Sequence, residues 1–321
     1  MDKFKGIHTN QRLLLEELES RGISVEVLIP EIELAEAKLG SHCEILIDRD
    51  SSVVPYAGSL IAADKYLTKL LLKRAGLPVP QGEQFFSDQI ADMMNYISQM
   101  DPPFVVKPTF GSHGIGCSLE IYSQEDIEQA ISHLLATIGP KTPFLIEKQI
   151  LGMEIRVFIN RERQFAALCR DPAYVLGDGS LTVKELIESE NEKRANSGNL
   201  ALSQILIDQE VERTLGKFNI TLNSVPRAGA KIYLRRNSNM ATGGVSTDVT
   251  DQIDDNLVEL AFRALKAIPA LPYAGIDILT QDITSSSSAS AILEINSNPG
   301  LKMHHYPSFG QGRNVAGLVA D

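Results

Sequence analysis

The stretch Ala291-Ile292-Leu293-Glu294-Ile295-Asn296 is an apolar strand pattern broken by two polar residues two positions apart. Side chains alternate along a strand, so Glu294 and Asn296 share one face while Leu293 and Ile295 take the other. A second run, Ile276-Asp277-Ile278-Leu279, repeats the device, with Ile276 and Ile278 on the face opposite the carboxylate. Placed side by side, the two strands would present Asp277, Glu294 and Asn296 together. Hard oxygen donors on rigid strands suit a metal ion such as magnesium, which keeps several waters and completes its shell with phosphate oxygens. The bland alternative is a pair of edge-strand carboxylates facing water.

Working outward, Phe104 to Lys107 reads as a strand that runs into Pro108-Thr109-Phe110-Gly111-Ser112-His113-Gly114-Ile115-Gly116. Three glycines let backbone amides approach phosphate oxygens, and Lys107 adds a charge beside them. The spacing matches neither GxxxxGK[ST] nor GxGxxG, so the two commonest nucleotide motifs are excluded, and a plain tight hairpin is the competing reading. Next, Phe144-Leu145-Ile146-Glu147-Lys148-Gln149-Ile150 leaves an apolar strand for polar residues and reaches Gly152 and Glu154. A strand end with free backbone groups can recognise a purine edge, and Glu154 can hold ribose hydroxyls. Taken singly, these are ordinary surface residues.

The remaining chain reads as alternating helices and strands. A short amphipathic helix over 10–21 precedes a strand at Ser24–Ile29, another strand falls near Glu44–Ile47, and a helix over Asp64–Ala75 stops at Gly76. Ile127, Ile131, Leu134 and Ile138 mark a helix face that Gly139 and Pro140 end. Later helices are expected over Thr182–Ser189, Gln204–Leu215 and Asp255–Ile268, and the run Ser285–Ser288 reads as a hairpin tip. Val315, Leu318 and Val319 read as a helix still under way at Asp321.

With 321 residues, 43% of them hydrophobic, the chain can bury a large core. It shows no run of eighteen apolar residues and no apolar core behind Met1-Asp2-Lys3-Phe4-Lys5, so a soluble, cytoplasmic protein without membrane partners is expected. The formal charge of −11 argues against nucleic acid as a partner. Cys43, Cys117 and Cys169 form no CxxC pair and read as small core or pocket residues.

A lysine in a helix, a lysine before a glycine-rich loop, Glu-Lys followed by Gly-x-Glu, and Asp followed by Glu-x-Asn stand here in the order found in ATP-grasp ligases. The resemblance narrows at LRRNSNMATGGVSTDVTD (Leu234–Asp251), VLGDGSLTVKELIESEN (Val175–Asn191) and MHHYPSFGQGR (Met303–Arg313), which look like the ATP-grasp half of bifunctional glutathione synthetases and like cyanophycin synthetase. It extends to HTNQRLLLEELESRGISVEVL near the start and covers about Thr9 to Leu318. It implies an α+β or α/β ATP-grasp fold: an N-terminal lobe over 1–62, a small central lobe over 63–143, and a large lobe with an antiparallel sheet over 144–321.

The resemblance also implies site roles. Lys69 and Lys107, with Gly111, Ser112, Gly114 and Ile115, would contact ATP phosphates; Glu147, Lys148 and Ile150 would line the adenine pocket, and Glu154 would bind ribose. Asp277, Glu294 and Asn296 would bind magnesium, with manganese as a substitute. Arg235 would neutralise an acyl phosphate and its tetrahedral successor; its neighbour Arg236 faces the other way along a strand. Gly243, Gly244, Asn298, His304, His305 and Tyr306 would line the pocket for an amino acid or peptide substrate, although two glycines usually make a turn and two histidines are usually surface residues. No residue stands out as general base for the attacking amine. Asn298-Pro299-Gly300 leans toward cyanophycin-type and D-alanine ligases, while the histidine, tyrosine and GxGR positions lean toward the glutathione type. A homo-oligomer is expected from resemblance alone. The competing readings are a non-catalytic nucleotide sensor or scaffold with this fold, against which the intact set of charged residues argues, and an ATP-grasp enzyme outside peptide chemistry.

Overall fold

The computed structural model describes residues 3–111, 114–285 and 289–321. The serine run therefore lies largely outside the described residues. In chain order the elements are α1 (Thr9–Ser20), β1 (Ser24–Ile29), β2 (Leu34–Leu39), β3 (His42–Ile47), α2 (Tyr56–Ala63), α3 (Lys65–Arg74), β4 (Gly82–Phe85), α4 (Ile90–Ile97), β5 (Phe104–Pro108), β6 (Ser118–Ile121), α5 (Gln124–Ile138), β7 (Phe144–Lys148), β8 (Met153–Asn160) and β9 (Phe165–Asp171). They continue with β10 (Tyr174–Leu176), α6 (Val183–Asn196), α7 (Gln209–Gly216), β11 (Lys231–Tyr233), β12 (Val245–Asp248), α8 (Asp255–Ala267), β13 (Tyr273–Thr280), β14 (Ser290–Asn296), α9 (Lys302–His305) and α10 (Val315–Ala320). Among the described residues no helix is long and apolar enough to cross a membrane.

The chain divides into two compact units, one made of Met1–Ala167, Thr250–Leu301 and Asn314–Asp321, the other of Leu168–Val249 and Lys302–Arg313. In the first, β1, β2 and β3 form an antiparallel sheet in that order, covered by the buried Leu13, Leu14, Leu15 and Leu18 of α1. The outer face of this sheet corrects one expectation: Cys43 on β3 is exposed rather than a core residue.

A second sheet has the order β4-β7-β5-β6. Period-two alternation sends Phe104 and Val106 of β5 and Phe144 and Ile146 of β7 into one apolar layer, where α4 and α5 add Met93, Ile97, Ile127, Ile131 and Leu134. The same alternation turns Lys107 and Glu147 to the opposite face. A capping box between Ser123 and Asp126 starts α5, and Gly139 ends it.

The third group of strands centres on β13, which pairs antiparallel with β8 on one side and β14 on the other. Between β13 and β14 the register shifts: Ile276 faces Ile295 and Asp277 faces Glu294, but Ile278 faces Ile292. Leu293 is thus an extra residue, a β-bulge. Strict alternation would put Ile292 on the same face as Glu294; the bulge instead lets Ile292, fully buried, join Ile276, Ile278 and Ile295 in the core.

In the second unit β10 pairs with β11, and β12 pairs with the last residues of β9. Val183, Ile187, Ile205, Val211, Leu215 and Leu234 form its core. The helix expected to begin at Gln204 begins at Gln209, because the Asp208 side chain accepts from the N–H groups of Glu210 and Val211 and caps it there. The helix expected over Thr182–Ser189 runs on to Asn196 behind a Thr182–Glu185 capping box.

Phe144, which has no exposed surface, fills the layer between sheet and α5. Phe144→Ala is expected to lower the unfolding free energy by about 3–5 kcal/mol in a urea titration.

Candidate active site

The first unit gathers charged side chains that the sheets turn away from their apolar layers. Asp64, 8% exposed, caps α3 through the N–H groups of Tyr66 and Leu67, and one turn apart that helix presents Lys65 and Lys69. Lys69 Nζ bonds Glu147 Oε1, and Lys107 Nζ lies 2.8 Å from Glu147 Oε2. One carboxylate with only 2% of its side chain exposed therefore holds two ammonium groups, one from α3 and one from β5. Gly82 opposes Glu147 across β4 and β7, and a Cβ there would sit 2.5 Å from Glu147 Cγ and 2.6 Å from the Ile146 carbonyl. Only glycine leaves the room.

Electrostatics follow from that burial. Desolvation pushes the Glu147 carboxyl up, but the charges of Lys107 and Lys69 and their hydrogen bonds outweigh it and hold the group below its usual range. Burial, then repulsion from Lys107, lowers Lys69 to about 7 despite Glu147. For Lys107, burial is outweighed by the Glu147 charge, and the ammonium is raised.

A second cluster lies on β8, β13 and β14. Asp277 faces Arg156 on one side and Glu294 on the other. Arg156 grips it with a two-pronged bond through Nε and Nη2, the latter at 2.7 Å, and Nη2 is 3.9 Å from Glu294 Oε1. Asn296 Nδ2 donates to Glu294 Oε1 at 3.2 Å. Burial, and next the neighbouring Asp277 charge, raises Glu294. Two carboxylates pressed together and an amide oxygen at their edge are all hard donors, and their mutual repulsion is relieved by a cation. Among the described residues no group of three or more acidic, histidine or cysteine side chains could hold a metal unaided. Hard oxygen donors of this kind fit an ion that completes its shell with waters and ligand oxygens.

Lys65 stands between the clusters. Its Nζ donates to the Gly111 carbonyl at 2.6 Å and lies 4.0 Å from Glu294 Oε2, while burial lowers its pKa. Cys117, at the far side of the glycine turn, feels the charges of Lys107, Glu147, Lys65 and Glu294, and burial pushes its thiol up to about 11. Gly111, Gly114 and Gly116 all have positive φ, at 123°, 73° and 70°. Ile115 is exposed, and Ser112 falls outside the described residues.

The other residues singled out in the sequence occupy different surroundings. Lys148 Nζ donates to the backbone carbonyls of Asp101 and Pro102, Ile150 follows β7 half-buried, and Glu154 sits half-buried on β8. Asn298 Nδ2 bridges Asp48 Oδ2 at 3.0 Å and Asp50 Oδ2 at 3.2 Å. In the second unit, Arg235 is buried and bonds Asp208 Oδ2 at 2.6 Å, whereas Arg236 stacks over the Phe218 ring. Gly243 and Gly244 donate their N–H groups to the Met240 and Asn239 carbonyls within their own turn. A Cβ at Gly244 would approach the Ser238 and Asn239 carbonyls to 2.8 Å, which explains the glycine. His304 is fully buried, not a surface residue, and His305 and Tyr306 are half-buried with rings 6.2 Å apart. Sequence reasoning missed Lys65, Arg156 and Asp208, although Lys65 lies one helical turn before Lys69 and Arg156 two strand positions after Glu154.

The fold is the ATP-grasp fold. Residues 223–316 match the model of the RimK-like ATP-grasp domain. The chain is 38% identical to a cyanophycin synthetase of Nostoc sp. over 82% of its own length and 29% of that protein. It is 33% identical to the glutathione biosynthesis bifunctional protein GshAB of Enterococcus faecalis over 97% of its length and 42% of that protein. The crystal structure of a bifunctional glutathione synthetase from Pasteurella multocida is similar at 27% identity with a TM-score of 0.71, over 99% of this chain and 44% of that one. The chain thus spans less than half the length of each of these relatives.

Two outcomes test the lysine-carboxylate cluster. Glu147→Gln removes the carboxylate that pairs with the buried Lys107 ammonium and with Lys69, and is expected to cost about 3–5 kcal/mol of stability by denaturant titration. Lys69, lowered to about 7 from 10.5, sheds its proton in the native protein while the unfolded chain keeps it. It therefore makes stability rise with pH across that window, and Lys69→Met should flatten that part of the curve of unfolding midpoint against pH.

Proposed function

We propose that the chain is an ATP- and magnesium-dependent carboxylate-amine ligase that joins an amino acid or short peptide to an amine through an acyl phosphate, releasing ADP and phosphate. The observation that carries the reading is the meeting, in one unit, of three lysines beside a glycine turn with the Asp277, Glu294 and Asn296 oxygen set. The sequence similarity to cyanophycin synthetase and GshAB supports it.

A carboxylate is a poor electrophile until phosphorylated, and phosphoryl transfer is catalysed mainly by positioning and charge neutralisation. In the first step a substrate carboxylate oxygen attacks the γ-phosphorus and ADP leaves. In the second, an amine attacks the acyl carbon, phosphate leaves, and the amine gives up a proton. Lys69 and Lys107 neutralise the phosphate oxygens, with Gly111, Gly114 and Ile115 contributing backbone beside them. The backbone around Glu147, Lys148 and Ile150 receives the adenine, and Glu154 the ribose. Asp277, Glu294 and Asn296 hold a divalent ion, which when bound supplies further charge neutralisation. Arg235 is assigned to the acyl phosphate, and Asn298, His304, His305 and Tyr306 are assigned to substrate binding.

The test is ADP release from Mg-ATP, screened over pairs of amino acids and γ-glutamyl or aspartyl dipeptides, with mass spectrometry of the products. Turnover that needs two added substrates and yields their amide is the expected result. A protein that ignores Mg-ATP would overturn the reading. Loss of one charge-stabilising donor costs on the order of 3 kcal/mol of barrier, so Arg235→Ala should lose roughly a hundredfold in turnover while binding ATP nearly normally by calorimetry.

A further inference from the structure

Asp208 divides one carboxylate between two tasks. Its Oδ1 caps α7, accepting from the Glu210 and Val211 N–H groups at 3.1 Å each, while Oδ2 accepts from Arg235 Nη2 at 2.6 Å. The same Nη2 donates to the Leu206 carbonyl at 3.3 Å, so both of its hydrogens are committed.

Leu206 and Asp208 belong to an irregular segment whose course is set by α6. The Asn191 side chain accepts from the Ile205 N–H at 2.8 Å and donates to the Ile205 carbonyl at 2.9 Å, and Arg194 Nη1 donates to the Ser203 carbonyl at 2.8 Å. The acceptors that receive Arg235 are therefore fixed by the fold.

Arg235 itself has 6% of its side chain exposed, yet its Nε is buried without a hydrogen-bond partner. A buried, charged N–H donor lacking an acceptor is costly, and a planar guanidinium held at Nη2 presents its Nε in one direction. An anionic oxygen is the partner that would satisfy it.

We infer that Asp208 is a positioning residue: it anchors Arg235 by Nη2 so that the buried Nε–H is presented to a phosphoryl or carboxylate oxygen of the substrate. This rests on the role proposed above for Arg235. The irregular segment before α7 thereby becomes part of the catalytic machinery.

The test uses the full chain, isotope-labelled, and inorganic phosphate as probe. The Arg235 Nε–H resonance is identified by its disappearance in Arg235→Lys and followed through a phosphate titration. Asp208→Asn keeps a cap of equal quality at Oδ1 but replaces the acceptor facing Nη2 with a donor; Asp208→Ser keeps a cap and withdraws the partner altogether. Both are expected to lose some stability yet stay folded at the temperature of the titration, as amide spectra would show, while the phosphate affinity read at that resonance falls at least about tenfold, the scale of one lost charge-assisted hydrogen bond. Unchanged affinity in both variants would overturn the positioning role and leave the reading of Arg235 intact. A wild-type resonance that does not respond to phosphate would overturn the reading of Arg235 itself, and this inference with it.

Discussion

Two ammonium groups cannot share a dry pocket unless something answers their charge, and here a single carboxylate does so. Glu147 comes from β7, Lys107 from β5 and Lys69 from α3, so one ion-paired group ties a sheet and a helix into one surface. Desolvation makes each of these charges expensive alone; together they are tolerable because every partner is within bonding distance. The group is thereby kept cationic without collapsing. Gly82 is the counterpart of that arrangement, since the carboxylate reaches its position only where the facing strand lacks a side chain.

The row Arg156, Asp277, Glu294 uses a different solution. Three neighbouring strands each supply one charge at the same level of the ladder, so the spacing is set by strand separation and not by flexible side chains. Arg156 compensates part of the carboxylate repulsion, and Lys65 leans in from the helix to compensate more. The two clusters differ in sign: the lysine group carries an excess of positive charge, the strand group an oxygen-rich face.

Much of this was legible in the residues because it depends on local periodicity. The strand over Ser24–Ile29 falls where alternation puts it, and Asp277 meets Glu294 because both interrupt apolar runs in the same phase. The ATP-grasp fold was legible through long motifs rather than through periodicity. What escaped was relational. Arg156 becomes a partner of Asp277 only through the β8 and β13 register, and Lys65 matters only because α3 delivers it to the glycine turn. The late start of α7 depends on a cap whose second oxygen answers an arginine 27 residues away in sequence. The N–H groups of Gly243 and Gly244 were spoken for by their own turn, a detail that composition does not encode.

The bulge at Leu293 has a further effect on how β14 can move. A one-residue slip of this strand along β13 would drive Glu294 into the layer occupied by Ile276 and Ile278 and bring a leucine opposite Asp277. Either displacement is heavily penalised, by a buried carboxylate on one side and a stranded one on the other. The strand therefore behaves as a keyed part, with its alignment enforced from both faces at once.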